Sequence, residues 1–424
     1  MFNRRRFLTG SGLAILAARG GLSHAQITQS AASPAPAQSA GERLAAALLK
    51  NRLPLTLEDG HPGGPGWNFL LNETREAHYT LIGEEHGVAE TAQLSAALYK
   101  ALRPSGYSRL AVELSPAIAA DIELTLRRDG IRGIERFLAM PGTWGVLYSL
   151  REESAFLADV VAATPGSSVL WGLDYEIFAD RYLISKLLRK APVSAKEPLS
   201  RLQNASNAAW EKQVPFSVSG ADPALVKSVR AAWAKPDSES DAILRTLEET
   251  LAINGTRGRL LSLQRRVAFT RGNFAQYLRE EKRRGKTPKV MFKFGYNHMI
   301  RGANFLNVFD LGSLPDEIAA MEGGRAFHIL VLPGTGSRQV TLGPKGWVPV
   351  STDEYDEFNA GEKRLGRVLP RSDAAGHEVI DLRPIRPLVA RGFEEINPDL
   401  VRTIHGYDAA VIWKGAHAAT PIVR

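Results

Sequence analysis

The chain is 424 residues long, 44% hydrophobic and 23% charged, which suits one large or two ordinary globular domains and excludes a fibrous or wholly disordered protein. It contains no cysteine, so disulfides, thiolate metal sites, iron–sulfur clusters and a cysteine nucleophile are excluded. The formal charge is +8, of which Arg4, Arg5, Arg6 and Arg19 supply four, and the +4 left on the rest of the chain is too weak a field to argue for nucleic acid.

Residues 1–25 read as an export signal: a basic start at Arg4-Arg5-Arg6, an apolar stretch from Phe7 to Leu22, and a small-residue exit at Ser23-His24-Ala25. Asn3-Arg4-Arg5-Arg6-Phe7-Leu8-Thr9 has the twin-arginine pattern apart from its first and last positions. This predicts the twin-arginine export machinery as a partner, cleavage near Ala25 and a periplasmic protein. Residues 26–42, poor in large apolar side chains, read as a flexible linker. Asp59–Gly66 reads as a loop from its turn residues. No later run reaches the roughly 18 apolar residues that a membrane span needs.

From Tyr79 onward, short apolar runs alternate with helical patterns. The expected strands are Tyr79–Gly83, Arg109–Glu113, Val169–Asp174, Val290–Phe294, Phe327–Leu332 and Ala409–Trp413, and the first three are separated by helices near Val88–Arg103, Pro116–Arg128 and Glu152–Ala163. That alternation predicts an α/β fold, a largely parallel sheet flanked by helices. Residues 177–284 carry only helical patterns and read as a helical insertion, placed to serve as a lid, between two parts of an α/β core at 43–176 and 285–424. No short-period repeat is present.

The polar residues that matter fall at strand ends. Tyr79–Glu90 is an apolar run that ends in Gly83-Glu84-Glu85-His86 and passes directly into a helical pattern, so its carboxylates and histidine land at the carboxyl end of a strand beside a helix N-terminus. Lys293-Phe294-Gly295-Tyr296-Asn297-His298 repeats the apolar run followed by Gly-x-x-His, which predicts that His86 and His298 leave one sheet at one edge. His328, inside an apolar run, reads as a core residue, and His61 falls in the Gly/Pro loop. Acids close three buried runs, with Glu84 and Glu85 after the first, Glu113 after the second, and Asp174 and Glu176 after the third. Charges in such places must find partners or shift their pKa. Structural ion pairs with Arg109, Arg181 or Arg301 are the alternative to a site. A histidine held by a carboxylate is suited to removing a proton from water, with a second histidine or an arginine stabilising the oxyanion, which together describe hydrolysis. Gly-x-Ser-x-Gly is absent, which argues against a serine triad. A divalent metal is the open alternative: His86 and Glu90 stand four apart, and Glu84, Glu113 and His298 would complete an N/O shell for zinc, manganese or iron, although His-Glu-x-x-His is missing.

Gly83-Glu84-Glu85-His86-Gly87 resembles the Gly-Glu-x-x-His-Gly signature of the erythromycin esterase-like proteins, one residue shorter, and so is also similar to the Gly-Glu-x-His of related haem-binding lipoproteins of iron uptake. Ala111-Val112-Glu113 and Trp171-Gly172-Leu173-Asp174 resemble the family's second strand and its Gly-Phe-Asp segment. Arg266 to Asn273 is similar in spacing to its Arg-Asp-x-x-Met-Ala-x-Asn helix, with Val267 in place of the Asp. Gly295-Tyr296-Asn297-His298 resembles its His-Asn-Gly-His without the first histidine, and Tyr407-Asp408-Ala409 with Thr420-Pro421 is similar to its C-terminal strand. The resemblance runs in order over roughly residues 79–421. It implies an α/β fold with helical additions and a site of Glu84, His86, Glu113 and His298, with His86 activating water against an ester or lactone in a small-molecule substrate. Arg266 or Arg301 would be the cationic helper, and no cofactor would be needed. The same resemblance leaves two alternatives, a haem- or iron-binding periplasmic protein and a metal-dependent protease.

Overall fold

The computed structural model describes residues 39–143, 147–166, 168–255, 260–341, 346–352, 376–390 and 397–422. The expected signal at 1–25 and most of the expected linker lie outside them. The linker boundary at 42 is corrected, because the helix Ala40–Lys50 starts inside it: Ser39 and Glu42 form a capping box that satisfies free N–H groups of the first turn.

The strands in chain order are β1 (Arg52–Glu58), β2 (His61–Gly63), β3 (Tyr79–Glu84), β4 (Tyr107–Val112), β5 (Leu170–Gly172), β6 (Lys289–Gly295), β7 (Ala326–Pro333), β8 (Ser337–Thr341), β9 (Trp347–Ser351), β10 (His377–Asp381) and β11 (Ala409–Trp413). Nine of them form one sheet in the order β2-β1-β10-β11-β7-β3-β6-β4-β5, while β8 and β9 pair as a separate hairpin. From β11 to β5 every pairing is parallel, and these six strands are the six apolar runs expected from the sequence. Their composition follows from burial on both faces: Ile82 of β3 packs into the apolar cluster on one side, Leu81 into that on the other. The fold is α/β, a largely parallel sheet flanked by helices.

A wing of antiparallel strands, β10, β1 and β2, extends the sheet beyond β11. The expected loop at Asp59–Gly66 is thereby corrected. Asp59 and Gly60 turn with φ of 49° and 77°, the Asp-Gly signature of a two-residue hairpin; His61–Gly63 then pairs as β2, and Pro65 opens the helix Gly64–Glu76.

Helices link the parallel strands: Ala89–Leu102 after β3, Pro116–Leu138 and Arg151–Ala163 after β4. The second of these breaks at Gly130, whose φ of 62° and ψ of −157° are not helical. Between β5 and β6 the described residues hold the helices Asp180–Lys190, Val193–Glu211, Ala224–Ala232, Ser238–Asn254 and Leu260–Arg283 and no strand. The last of these returns to the sheet edge, where Asn273 donates to the carbonyl of Leu173 just beyond β5 at 2.9 Å. Among the described residues no helix is long and apolar enough to cross a membrane.

Candidate active site at the carboxyl edge of the sheet

β3, β6 and β4 are neighbours, with Glu84 opposite Gly295 and Val112 opposite Lys293, so the residues that end these strands meet at one edge. Glu84, His86, Glu113, His298 and Arg266 converge there. Glu113, just beyond β4, is the hub. Its Oε2 accepts from the N–H of Gly295 at 2.7 Å and faces His86 Nε2 at 3.4 Å; its Oε1 accepts from Arg266 Nη2 at 2.9 Å and faces His298 Nε2 at 3.6 Å. Glu84 holds the other side of His86, Nδ1 to Oε1, at 2.9 Å. His298 Nδ1 meets Asp310 at 2.9 Å, and Arg266 also reaches Asp174 through Nε at 3.1 Å and Nη2 at 2.5 Å. The ring of Tyr175 lies against the guanidinium at 4.9 Å.

Two glycines make this close approach possible. A Cβ on Gly295 would lie 3.0 Å from His86 Nε2, so a side chain there would press on the ring. Gly87 turns the chain after His86 with φ of 85°, and a Cβ there would sit 2.1 Å from the carbonyl oxygen of Gln339 in β8.

Each histidine thus stands between two carboxylates. Burial alone would lower the His86 pKa, but Glu113 and Glu84 outweigh it and hold it at about 10. His298 follows the same pattern: burial and Arg266 lower its pKa, Asp310 and Glu113 raise it, and the balance is upward. Burial raises Glu113, yet His298, His86 and Arg266 bring it well below the usual carboxylate range. Glu84 is likewise raised by burial and lowered further by Lys293 and His86. The edge is a lattice of alternating charge in which no group stands alone.

Four residues that sequence reasoning missed complete the site: Asp310, which holds His298, and Lys293, Glu153 and Tyr148. Lys293 of β6 donates to Glu84 at 2.6 Å and to both oxygens of Glu153 at 2.8 and 2.9 Å, with the Tyr148 ring 5.6 Å from its ammonium. A lysine inside Val-Met-Phe-Lys-Phe is a signal in itself, since a buried ammonium demands anionic partners. Glu84, His86, Glu113, Tyr148, Glu153 and Lys293 line a cavity in which the space open to the centre of a water molecule is ≈ 10 Å³, room for about one water.

Other expected partners lie elsewhere. Arg301 binds Asp316 and Asp408 at the amino edge of the sheet, so it is not the cationic helper. Arg109 pairs with Glu281 and Arg181 lies over Trp210, so neither neutralises the strand-end acids; Arg266 and Lys293 do. Glu85 pairs with Arg338, and Glu176 caps the N–H groups of Ile177, Phe178 and Ala179. Glu90 does not share an ion with His86: its carboxylate accepts from His417, both from the backbone N–H at 3.1 Å and at the ring Nδ1 at 2.6 Å. Among the described residues no group of three or more His, Asp or Glu side chains is arranged to hold a metal ion, and both ring nitrogens of His86 and of His298 already face carboxylates. His328 is a core residue, its Nδ1 paired with the carbonyl of Met299 at 2.8 Å.

The molecule is therefore an α/β protein with a histidine–carboxylate centre at the carboxyl edge of its parallel strands. No protein-family model matches the sequence, and no curated protein sequence matches it. Its fold is similar to that of a solved succinoglycan biosynthesis protein at 13% identity, with a TM-score of 0.59 and 90% of this chain and 100% of that chain covered. A Bacillus cereus protein is similar at 15% identity and a TM-score of 0.54, covering 90% of this chain and 99% of that one. A mutant of the erythromycin esterase EreC in its open conformation is similar at 14% identity and a TM-score of 0.55, covering 84% and 95%. At these identities the likeness is one of fold.

Proposed function

We propose that the chain is an exported hydrolase of the erythromycin esterase-like type that cleaves an ester or lactone in a small molecule with water activated by His86. The observation that carries this reading is the convergence of His86, Glu84, Glu113, His298 and Arg266 at one edge of the sheet, where the first three line a cavity of water size. In this reading Glu84, the nearer carboxylate at 2.9 Å against 3.4 Å for Glu113, accepts from Nδ1–H and leaves Nε2 to take the proton. In the step, a water proton passes to Nε2 as the water oxygen bonds to the acyl carbon. The carbonyl oxygen becomes an oxyanion facing Arg266 and His298, then the C–O bond to the leaving alkoxide breaks and that oxygen receives the proton back from His86. The carboxylates flanking His86 stabilise the imidazolium formed on the way, and by raising its pKa to about 10 they keep its neutral form scarce until pH rises.

Export through residues 1–25 belongs to the same proposal and is tested by the mass of the protein recovered from the periplasm, which should lack them. Hydrolysis is tested with the purified chain on a panel of activated esters and macrolactones. His86→Ala should lose on the order of 10²–10⁴ in rate, and an unchanged rate in that variant would sink the assignment.

A further inference from the structure

The hydrolytic reading leaves Lys293 and Glu153 without a task, although both line the cavity. Lys293 sits in β6 between Phe292 and Phe294, and its side chain is 1% exposed, a costly place for an ammonium. Its three protons meet three carboxylate oxygens, Glu84 Oε1 at 2.6 Å and the two oxygens of Glu153 at 2.8 and 2.9 Å. That Glu84 oxygen is the one that holds His86 Nδ1. Among the described residues Glu84 Oε2 has no hydrogen-bond partner, so all of Glu84's own hold on His86 passes through the shared atom. His86, Glu84, Lys293 and Glu153 therefore form one row of alternating charge, and its two ends face the same cavity.

We propose that Lys293 and Glu153 are positioning residues that set the charge carried by His86, Lys293 by competing with the ring for the Glu84 oxygen they share and Glu153 by balancing Lys293. The inference rests on His86 as the group that activates water. In a buried row each charge is felt by the others through a low dielectric. The other charges around His86 are Glu113 beyond β4, Arg266 on the helix Leu260–Arg283 and His298 after β6, the last two acting through Glu113, while Arg338 of β8 faces the His86 carbonyl at 3.4 Å. Around Glu153 stand Lys293, Glu84, His86 and the Tyr148 hydroxyl. Burial raises Glu153 and Lys293 lowers it, leaving it at about 7, so the far end of the row changes charge near neutrality.

The signs follow from charge alone. Glu153→Gln removes an anion, and His86 should release its proton more readily; Lys293→Gln removes a cation, and His86 should hold its proton more tightly. Each change should move the His86 titration by on the order of one pH unit, tenfold in proton affinity, in opposite directions, and the double variant should return near the wild type. The measurement is an NMR titration of the full chain with isotope-labelled histidine, the His86 signal being identified by its loss in His86→Gln. Singles that move together, or a folded Glu153→Gln that leaves His86 unmoved, would overturn the proposal. If Lys293→Gln does not fold, Glu153→Gln alone decides: a downward move supports the row and no move refutes it. The titration needs no substrate, so a wild type that hydrolyses nothing would refute the hydrolase reading and leave this result standing.

Discussion

Arg266 is the cation that the strand-end acids share, and Arg266→Met tests that arrangement most severely. The guanidinium meets Glu113 at 2.9 Å and Asp174 at 3.1 and 2.5 Å, and those side chains are 7% and 1% exposed, so the methionine variant leaves two carboxylates buried and short of a partner. Breaking a buried pair costs about 3–5 kcal/mol. Arg266 itself is 22% exposed, which lets water screen part of the loss and favours the lower end, about 3 kcal/mol. Glu113 has a lowered pKa, so its contribution to stability is present above the ordinary carboxylate value and disappears as pH falls through its folded one. The deficit of the variant should therefore hold from about pH 7 to about pH 5 and shrink as urea-unfolding curves are taken below about pH 4.5. Asp174→Asn added to Arg266→Met should recover part of it. A deficit under about 1 kcal/mol, or one that does not shrink below about pH 4.5, would refute the view that Arg266 neutralises these acids.

Two further outcomes are expected. The His86 pKa of about 10 means that its neutral form grows with alkalinity, so kcat/KM for ester hydrolysis, corrected for the rate of His86→Gln, should climb about tenfold per pH unit from neutral pH toward 10; a maximum at or below about pH 7 would contradict the assigned base. Because that pKa is raised above the free value of 6.5, the stability it confers is complete below 6.5 and is lost as pH rises through about 10. Gly87→Ala should destabilise by on the order of 1–3 kcal/mol and more than Gly302→Ala. Both glycines have positive φ, 85° and 82°, but only at Gly87 would the new methyl meet a backbone oxygen. Equal losses in denaturant unfolding would show that the contact with β8 is not what demands glycine.

The parallel half of the sheet was legible because each of its strands is buried on both faces and so is written as a largely apolar run. β1, β2 and β10 were not, since β1 buries only Leu55 and carries Pro54, and β2 holds only His61-Pro62-Gly63. The Asp59-Gly60 turn was the available sign of that hairpin. At the site, the Gly-x-x-His echo reflected adjacent parallel strands, which is why His86 and His298 meet around Glu113. Arg301 misled because three residues along the chain from His298 carry it back toward the amino edge and Asp408. Glu153 was hidden for a different reason: at the start of a helix, an acid looks like a partner for the helix dipole, and only the tertiary approach of Lys293 gives it another role.

The central claim is that water joins the substrate's acyl group at His86. It is tested most directly by running the hydrolysis of an ester or macrolactone in water labelled with heavy oxygen and weighing the acid produced. The wild type should place one solvent oxygen in the acid in a single turnover, and His86→Gln should form almost no labelled acid over the same time. An acid carrying no solvent oxygen, or labelled acid formed as fast without the imidazole, would contradict it.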